Sequence, residues 1–146
     1  MTPRPLDWRS VGAKLRRIED LLDALEAMGP VTADRLRSDI TTSLAVERVL
    51  TLVVELAFAV NTHVAVARLG RAPDTYPESF DAVADAGAID PGLAAALMPS
   101  AKMRNVLVHA YLDVDHEIVA TAVPLALTQY RSYTRQIARW FQGLSG

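Results

Sequence analysis

The chain has 146 residues, a formal net charge of −2, 51% apolar residues and no cysteine. That composition suits one domain with a sizeable core, 1–146, and excludes a disordered chain, disulfides and thiolate metal sites. It also excludes a chain-wide basic field drawing the protein to nucleic acid, so any such site must be local.

The N-terminal segment, with Pro3, Arg4, Pro5, Asp7 and Trp8, lacks the apolar core of a signal peptide. Leu15, Ile18, Leu22 and Leu25 then recur at helical spacing with charged residues between them, which predicts an amphipathic helix ended by Gly29-Pro30. Asp34 to Asp39 is a short connector with room for a turn of helix. Residues 41 to about 69 form a second long helix, apolar on most of its circumference, with Glu47, Thr51 and Glu55 as a narrow polar stripe. Such a helix belongs at the centre of a bundle. Its most apolar run, Val49 to Val60, is interrupted by Thr51 and Glu55 and is too short to span a bilayer. The expectation is a soluble cytoplasmic protein with no membrane partner.

Gly70 closes that helix, and Arg71 to Pro77 is a loop. Phe80, Val83 and Ala84 mark a short helix stopped at Gly87, and Asp90-Pro91 reads as an N-cap followed by proline at the first helical position. Pro99-Ser100 reads as a break, with helix resuming from Ala101 to about Tyr111. Asp113 to His116 is a turn. The final helix turns Ile118, Val119, Val123, Tyr130, Tyr133, Ile137 and Trp140 inward, and Pro124 kinks it or marks its true start. No stretch alternates with the period of a strand, so the fold class is all-α, a bundle of four or five principal helices.

The most informative stretch is Arg104-Asn105-Val106-Leu107-Val108-His109-Ala110-Tyr111. It gathers a guanidinium, an amide, an imidazole and a phenol, and no Asp or Glu lies between Asp90 and Asp113. A cation beside an imidazole, with no carboxylate nearby in sequence, suits a phosphate better than a metal. On an ideal helix Asn105 and His109 are neighbours, about 40° apart around the axis, whereas Arg104 and His109 are about 140° apart. One copy of the motif therefore converges poorly on one target. Two copies across a two-fold axis would put two arginines and two histidines around one cleft.

The Arg-x4-His-x-Tyr form of this segment resembles the signature of the HEPN ribonucleases, specifically the HepT-like toxins. Ala45-Val46-Glu47-Arg48-Val49-Leu50 onward to Asn61-Thr62-His63, the Tyr76-Pro77-Glu78-Ser79-Phe80 segment and the Met103-Arg104-Asn105 approach follow the same pattern in order, over roughly residues 10 to 142. One departure concerns an acidic residue that relatives often place shortly before the histidine matched by His63. Residue 59 is Ala here, and the nearest acid is Glu55.

The resemblance implies a homodimeric HEPN bundle acting as an endoribonuclease toxin, partnered by a nucleotidyltransferase antitoxin of the MntA type that adds AMP to Tyr111. It assigns His109 as acid/base, Arg104 as phosphate ligand and charge stabiliser, and Asn105 as the group that orients the histidine or holds the ribose-phosphate. Lys102 joins Arg104 in binding RNA. The residue chemistry agrees: an imidazole can take a proton from a ribose 2′-OH or give one to the leaving 5′-oxygen, and a guanidinium fork can offset phosphate charge. No carboxylate cluster accompanies the motif to hold Mg²⁺, so the expectation is no metal and no cofactor. The alternative reading is a non-catalytic HEPN protein that binds nucleotide or RNA, or serves as an adaptor for the nucleotidyltransferase.

Tyr111 shares a face with Arg104, Leu107 and Val108 if the helix persists that far, and its ring is then expected to pack against the helix end. His63 reads as a satisfied core histidine and His116 as an exposed residue opening the last helix. Tyr130, Tyr133, Trp140 and Phe141 are spaced for packing rather than for stacking bases.

Overall fold

A computed structural model describes residues 6–145 as six helices: α1 (Trp8–Ala27), α2 (Ala33–Ser38), α3 (Ile40–Leu69), α4 (Tyr76–Asp85), α5 (Pro91–His109) and α6 (His116–Ser145). Among the described residues there is no strand. Five principal helices and one six-residue turn of helix make the all-α bundle that the periodicity predicts, with the connector before α3 realised as α2. Residues Pro3, Arg4 and Pro5 lie outside the described residues.

Most starts are set by a side chain that accepts from an orphan backbone N–H; α5 is the exception, where Asp90 holds the N-cap position without a side-chain hydrogen bond and Pro91 opens the helix. Asp7 caps α1 through the Ser10 amide, Thr32 caps α2 through Arg35, and Thr75 caps α4 through Glu78. Asp39 ends α2 and opens α3 at once. Its carboxylate accepts from the amides of Thr41 and Thr42 at 3.1 and 3.2 Å and from the Thr42 hydroxyl at 2.7 Å. Gly70 closes α3 with a left-handed φ of 72° that a side chain would strain, and its amide donates to the Val66 carbonyl.

The central helix is α3, which packs against all five others. By length and composition α3 could cross a membrane. In the bundle, however, Val46, Val53, Val54, Ala57, Val60 and Val64 are buried in one shared core. Burying its apolar face against α1, α4, α5 and α6 explains the composition without a bilayer. On the far side of the core Arg131 of α6 meets Glu19, Asp23 and Glu26 of α1 at 2.7–3.3 Å.

One reading from proline fails and another is narrowed. Pro99 does not break α5, and of the two alternatives for Pro124 the true start of α6 is ruled out: both prolines sit inside continuous helices. An interior proline costs about 3 kcal/mol, but full burial of a side chain such as Leu97 gains about 1.5–3 kcal/mol, and each helix buries several. Pro99 and Pro124 are exposed, as is Ala95, so the carbonyl that Pro99 leaves unbonded lies on an exposed stretch of helix, while Ala94, Leu97 and Ala101 pack inward. The Ser100 hydroxyl then lies 2.6 Å from the Tyr130 hydroxyl, tying α5 to α6 just past the proline. Ile118, expected inside, is 55% exposed, Trp140 is half-buried and His116 is half-buried rather than exposed.

A polar network crosses the core. The buried Tyr133 hydroxyl donates to Asn61 Oδ1 at 2.6 Å, Asn61 Nδ2 donates to Ser79 Oγ at 3.0 Å, and Ser79 donates to the Tyr76 carbonyl at 2.7 Å. Burial pushes the phenols of Tyr130 and Tyr133 up, so both stay neutral; at Tyr130 the Ser100 bond pulls the other way, and at Tyr133 the Tyr130 phenol adds to the rise.

The bonds to Thr42 hold the Asp39 carboxyl below its ordinary value. A folded-state pKa below the unfolded one contributes stability at neutral pH that is lost as pH falls through the depressed value. Asp39→Ala should therefore lower the melting temperature at pH 7. The gap from wild type should shrink as both proteins are acidified below the ordinary aspartate range. A gap that stays constant with pH would show that the charge of Asp39 contributes nothing.

Candidate active site

The residues singled out by the motif fall on the C-terminal half of α5 and the connector after it. Arg104 points back into the bundle. Its Nη2 donates to Glu55 Oε1 on α3 at 2.9 Å, and its guanidinium carbon lies 4.4 Å from the centre of the Tyr76 ring at the start of α4. Nη1 makes a long bond of 3.3 Å to Asn105 Oδ1, and Nε is buried without a hydrogen-bond partner. The Arg104 side chain is 18% exposed and that of Glu55 is 31% exposed. Tyr76 is fixed from both sides: its ring meets Phe58 at 4.4 Å between centres, and its carbonyl accepts the Ser79 hydroxyl.

His109 closes α5 and is exposed. Its Nδ1 lies 2.8 Å from the carbonyl oxygen of Asn105, one turn back. A carbonyl only accepts, so Nδ1 carries the proton and Nε2 of the neutral ring presents its lone pair. The contact therefore comes from the Asn105 backbone, which any residue at that position would offer, and not from the expected amide side chain. The side chain leans towards Arg104 instead.

The structure brings Arg104 together with Glu55, Tyr76 and Asn105, but not with His109. Among the described residues no hydrogen bond or ion pair joins the two, as the 140° separation on the helix predicts. Lys102 is exposed on α5. The helix ends at His109, so Tyr111 does not share its face: Tyr111 is 85% exposed and Leu112 is 96% exposed. The expected packing of the Tyr111 ring against the helix end does not occur within the chain.

Arg104 also lines a cavity of about 430 Å³ between α5 and α6, floored by Leu50, Val53 and Val54 of α3. Its other walls are mostly apolar, including the exposed Ile118 and Leu125. Among the described residues no group of three or more histidines and carboxylates could hold a metal ion. His63 is satisfied, its Nε2 accepting the Asp7 amide at 2.8 Å, but it is half-buried rather than a core residue. Tyr130, Tyr133 and Phe141 are core residues.

Sequence reasoning missed the partners of Arg104. The motif has no carboxylate nearby along the chain, yet Glu55, forty-nine positions earlier, supplies one in space. The available signal was the placement of a lone acid on the otherwise apolar part of α3. Tyr76 lay inside the Tyr-Pro-Glu-Ser-Phe segment, with nothing local to show that it would sit under a guanidinium.

The Ribonuclease HepT-like family matches residues 15–137. A protein of Aphanizomenon flos-aquae called tRNA nuclease HepT is 32% identical over 127 residues, covering 87% of this chain and 86% of its own. Among solved structures, a toxin–antitoxin crystal structure with AMP-PNP superposes with a TM-score of 0.80 at 19% identity, over 90% of this chain and 98% of that one. The tri-AMPylated Shewanella oneidensis HEPN toxin in complex with its MNT antitoxin gives 0.79 at 19% identity, over 89% and 97% of the two chains. A cytosolic Bacillus subtilis protein of unknown function, YutE, gives 0.81 at 18% identity, over 94% and 92%.

The packing of Arg104 on Tyr76 can be measured. A double-mutant cycle with Arg104→Met and Tyr76→Leu, read by chemical denaturation, should give a coupling of about 0.5–2 kcal/mol, the range of a cation over an aromatic face. Tyr76→Phe keeps the ring and should preserve that coupling. Strict additivity of the two substitutions would mean that ring and fork are adjacent without attracting each other.

Proposed function

The chain belongs to the HepT-like ribonuclease family, and on that premise we propose that it is the toxin of a toxin–antitoxin pair, a metal-independent endoribonuclease acting in the cytoplasm. The observation that carries this reading is His109: an exposed imidazole whose Nδ1–H is tied to the Asn105 carbonyl, leaving Nε2 free at the end of α5. A ring fixed in that tautomer is poised to accept the proton of a ribose 2′-OH. The 2′-oxygen then forms its bond to phosphorus as the bond to the 5′-oxygen breaks. The His109 imidazolium of a second copy returns a proton to the leaving oxygen. The product is a 2′,3′-cyclic phosphate, and DNA, lacking the 2′-OH, does not react.

Arg104 is the phosphate ligand in this reading, and exposed Lys102 adds a second cation on the same helix. Because Arg104 and His109 diverge within one chain, the complete site is composite. Two copies meet across a two-fold axis, so that the arginine of one faces the histidine of the other. Support for this assembly comes from the apolar residues left exposed around the motif, Val106, Val108, Ile118 and Leu125. The relative's named substrate, tRNA, is the first RNA to test.

We assign the antitoxin as a nucleotidyltransferase and Tyr111 as the hydroxyl it modifies. Tyr111 is the most accessible phenol near the motif, and no fold change is needed for an enzyme to reach it. An added AMP carries phosphate charge that Lys102 or Arg104 can hold, and its bulk obstructs RNA.

Incubated with tRNA and excess EDTA, the protein should cleave. His109→Ala should slow cleavage by about 10²–10⁴-fold, the usual contribution of a general acid–base group, with helical content unchanged. Arg104→Lys should rescue Arg104→Ala poorly, because an ammonium lacks the planar fork. A requirement for Mg²⁺, or full activity in His109→Ala, would refute the mechanism.

Tyr111→Phe should retain most of the cleavage activity but escape neutralisation by the partner transferase and ATP. Mass spectrometry of the co-expressed wild-type pair should find AMP-sized additions on the Tyr111 peptide. An unmodified chain, with Tyr111→Phe still neutralised, would mean that the partner inhibits by binding alone.

A further inference from the structure

We propose that Glu55 is an intrachain competitor for the anion that Arg104 binds, setting how strongly a phosphate must be held before it enters the site. The proposal rests on the reading of Arg104 as the phosphate ligand. Glu55 Oε1 accepts from Arg104 Nη2 at 2.9 Å, as a phosphate oxygen would. It is the only carboxylate in contact with this guanidinium among the described residues. The remaining donors are poorly used: one makes a 3.3 Å bond to Asn105, and Nε is buried without a partner. The fork is therefore charge-neutralised but not saturated.

The two side chains differ in what they can do next. Arg104 is held in place by the Tyr76 ring 4.4 Å below it, and Tyr76 is anchored in turn by Phe58 and Ser79. Glu55 has no other hydrogen-bond partner among the described residues and is 31% exposed, so its carboxylate can swing to water while the fork stays. An incoming phosphate displaces the mobile partner, not the fixed one. A small anion offering a single contact gains little from that exchange. RNA spreads its contacts over Arg104, Lys102 and the facing groups, and so bears the cost of releasing Glu55.

Glu117 provides an internal control. It lines the same cavity as Arg104, but its carboxylate is bonded to Arg37 at 3.1 Å and does not touch the Arg104 fork. Removing either acid changes the net charge of the chain equally, and only one of them vacates Arg104.

The test uses the full chain and two probes, inorganic phosphate followed by NMR or calorimetry, and an RNA substrate followed by cleavage. Glu55→Gln should bind phosphate about tenfold more tightly than wild type, a partly buried ion pair being worth more than the few-fold typical of exposed ones. Glu117→Gln should change phosphate affinity by less than about twofold, as expected for a screened charge that does not touch the fork. On RNA, Glu55→Gln should lower KM while kcat is retained. Glu55→Asp, one methylene shorter, should show a smaller gain in phosphate affinity and serves if the glutamine variant folds poorly. Equal gains in both glutamine variants, no gain in Glu55→Gln, or a fall in kcat at constant KM would each overturn the competitor role. A wild-type chain that cleaves no RNA while Glu55→Gln gains phosphate affinity would remove the ribonuclease reading and leave the competitor standing. Cleavage without that gain would do the reverse.

Discussion

A buried amide with four hydrogen-bonding positions ties three helices of this molecule to one another. Asn61 is fully buried in the C-terminal half of α3, where leaving its polar atoms unpaired would cost about 1–3 kcal/mol each. It finds Tyr133 on α6 and Ser79 on α4 at hydrogen-bond distance. Apolar residues can slide past one another by a fraction of a turn at small cost; these bonds cannot. They set the depth of α6 and the position of the first turn of α4 against one point on α3. The first turn of α4 carries Tyr76, and Tyr76 carries Arg104. The position of the guanidinium is thus inherited from the core rather than from the helix it belongs to.

That inheritance explains which parts of the structure were legible in the sequence. The helices announced themselves through period and caps, because both signals are local: Thr32, Asp39 and Thr75 bond to amides two or three residues on. Pro99 misled because the cost of an interior proline is also local, whereas what outweighs it is not. The Ser100–Tyr130 pair acts across thirty positions, and no short window of sequence contains both partners. Ile118 was placed inside on spacing alone. Spacing defines a face, but the opening between α5 and α6 leaves part of that face bare.

The site divides along the same line. His109 and Asn105 are one helical turn apart, so their contact followed from the spacing, although the backbone carbonyl rather than the amide side chain makes it. Arg104 was named from its motif, but its environment was not. Glu55 and Tyr76 come from α3 and α4, and nothing near residue 104 encodes them. A glutamate that interrupts the most apolar run of a central helix is nevertheless a signal. An ion so placed needs a cation, and the arginines of neighbouring helices are a short list of candidates. Glu55 stood out as the acid breaking an apolar run, and its isolation there was the clue to a long-range partner.

The two halves of the motif therefore sit in mechanically different places. Arg104 is embedded: its orientation depends on Tyr76, hence on Ser79, Asn61 and Tyr133, and a change in any of these reaches the guanidinium. His109 is held only by its own last turn, and Tyr111 lies beyond the helix with 85% of its surface open. A rigid guanidinium fork suits a role in which charge must be met at a fixed point, since preorganised donors need no rearrangement when charge develops. An imidazole at a helix end and a phenol on a free connector suit roles that require approach from outside, by a substrate or by another protein. Joining fixed and approachable groups in one eight-residue segment requires a helix that is buried at one turn and emerges at the next. α5 does this, with Ala101 fully buried and His109 exposed only two turns later.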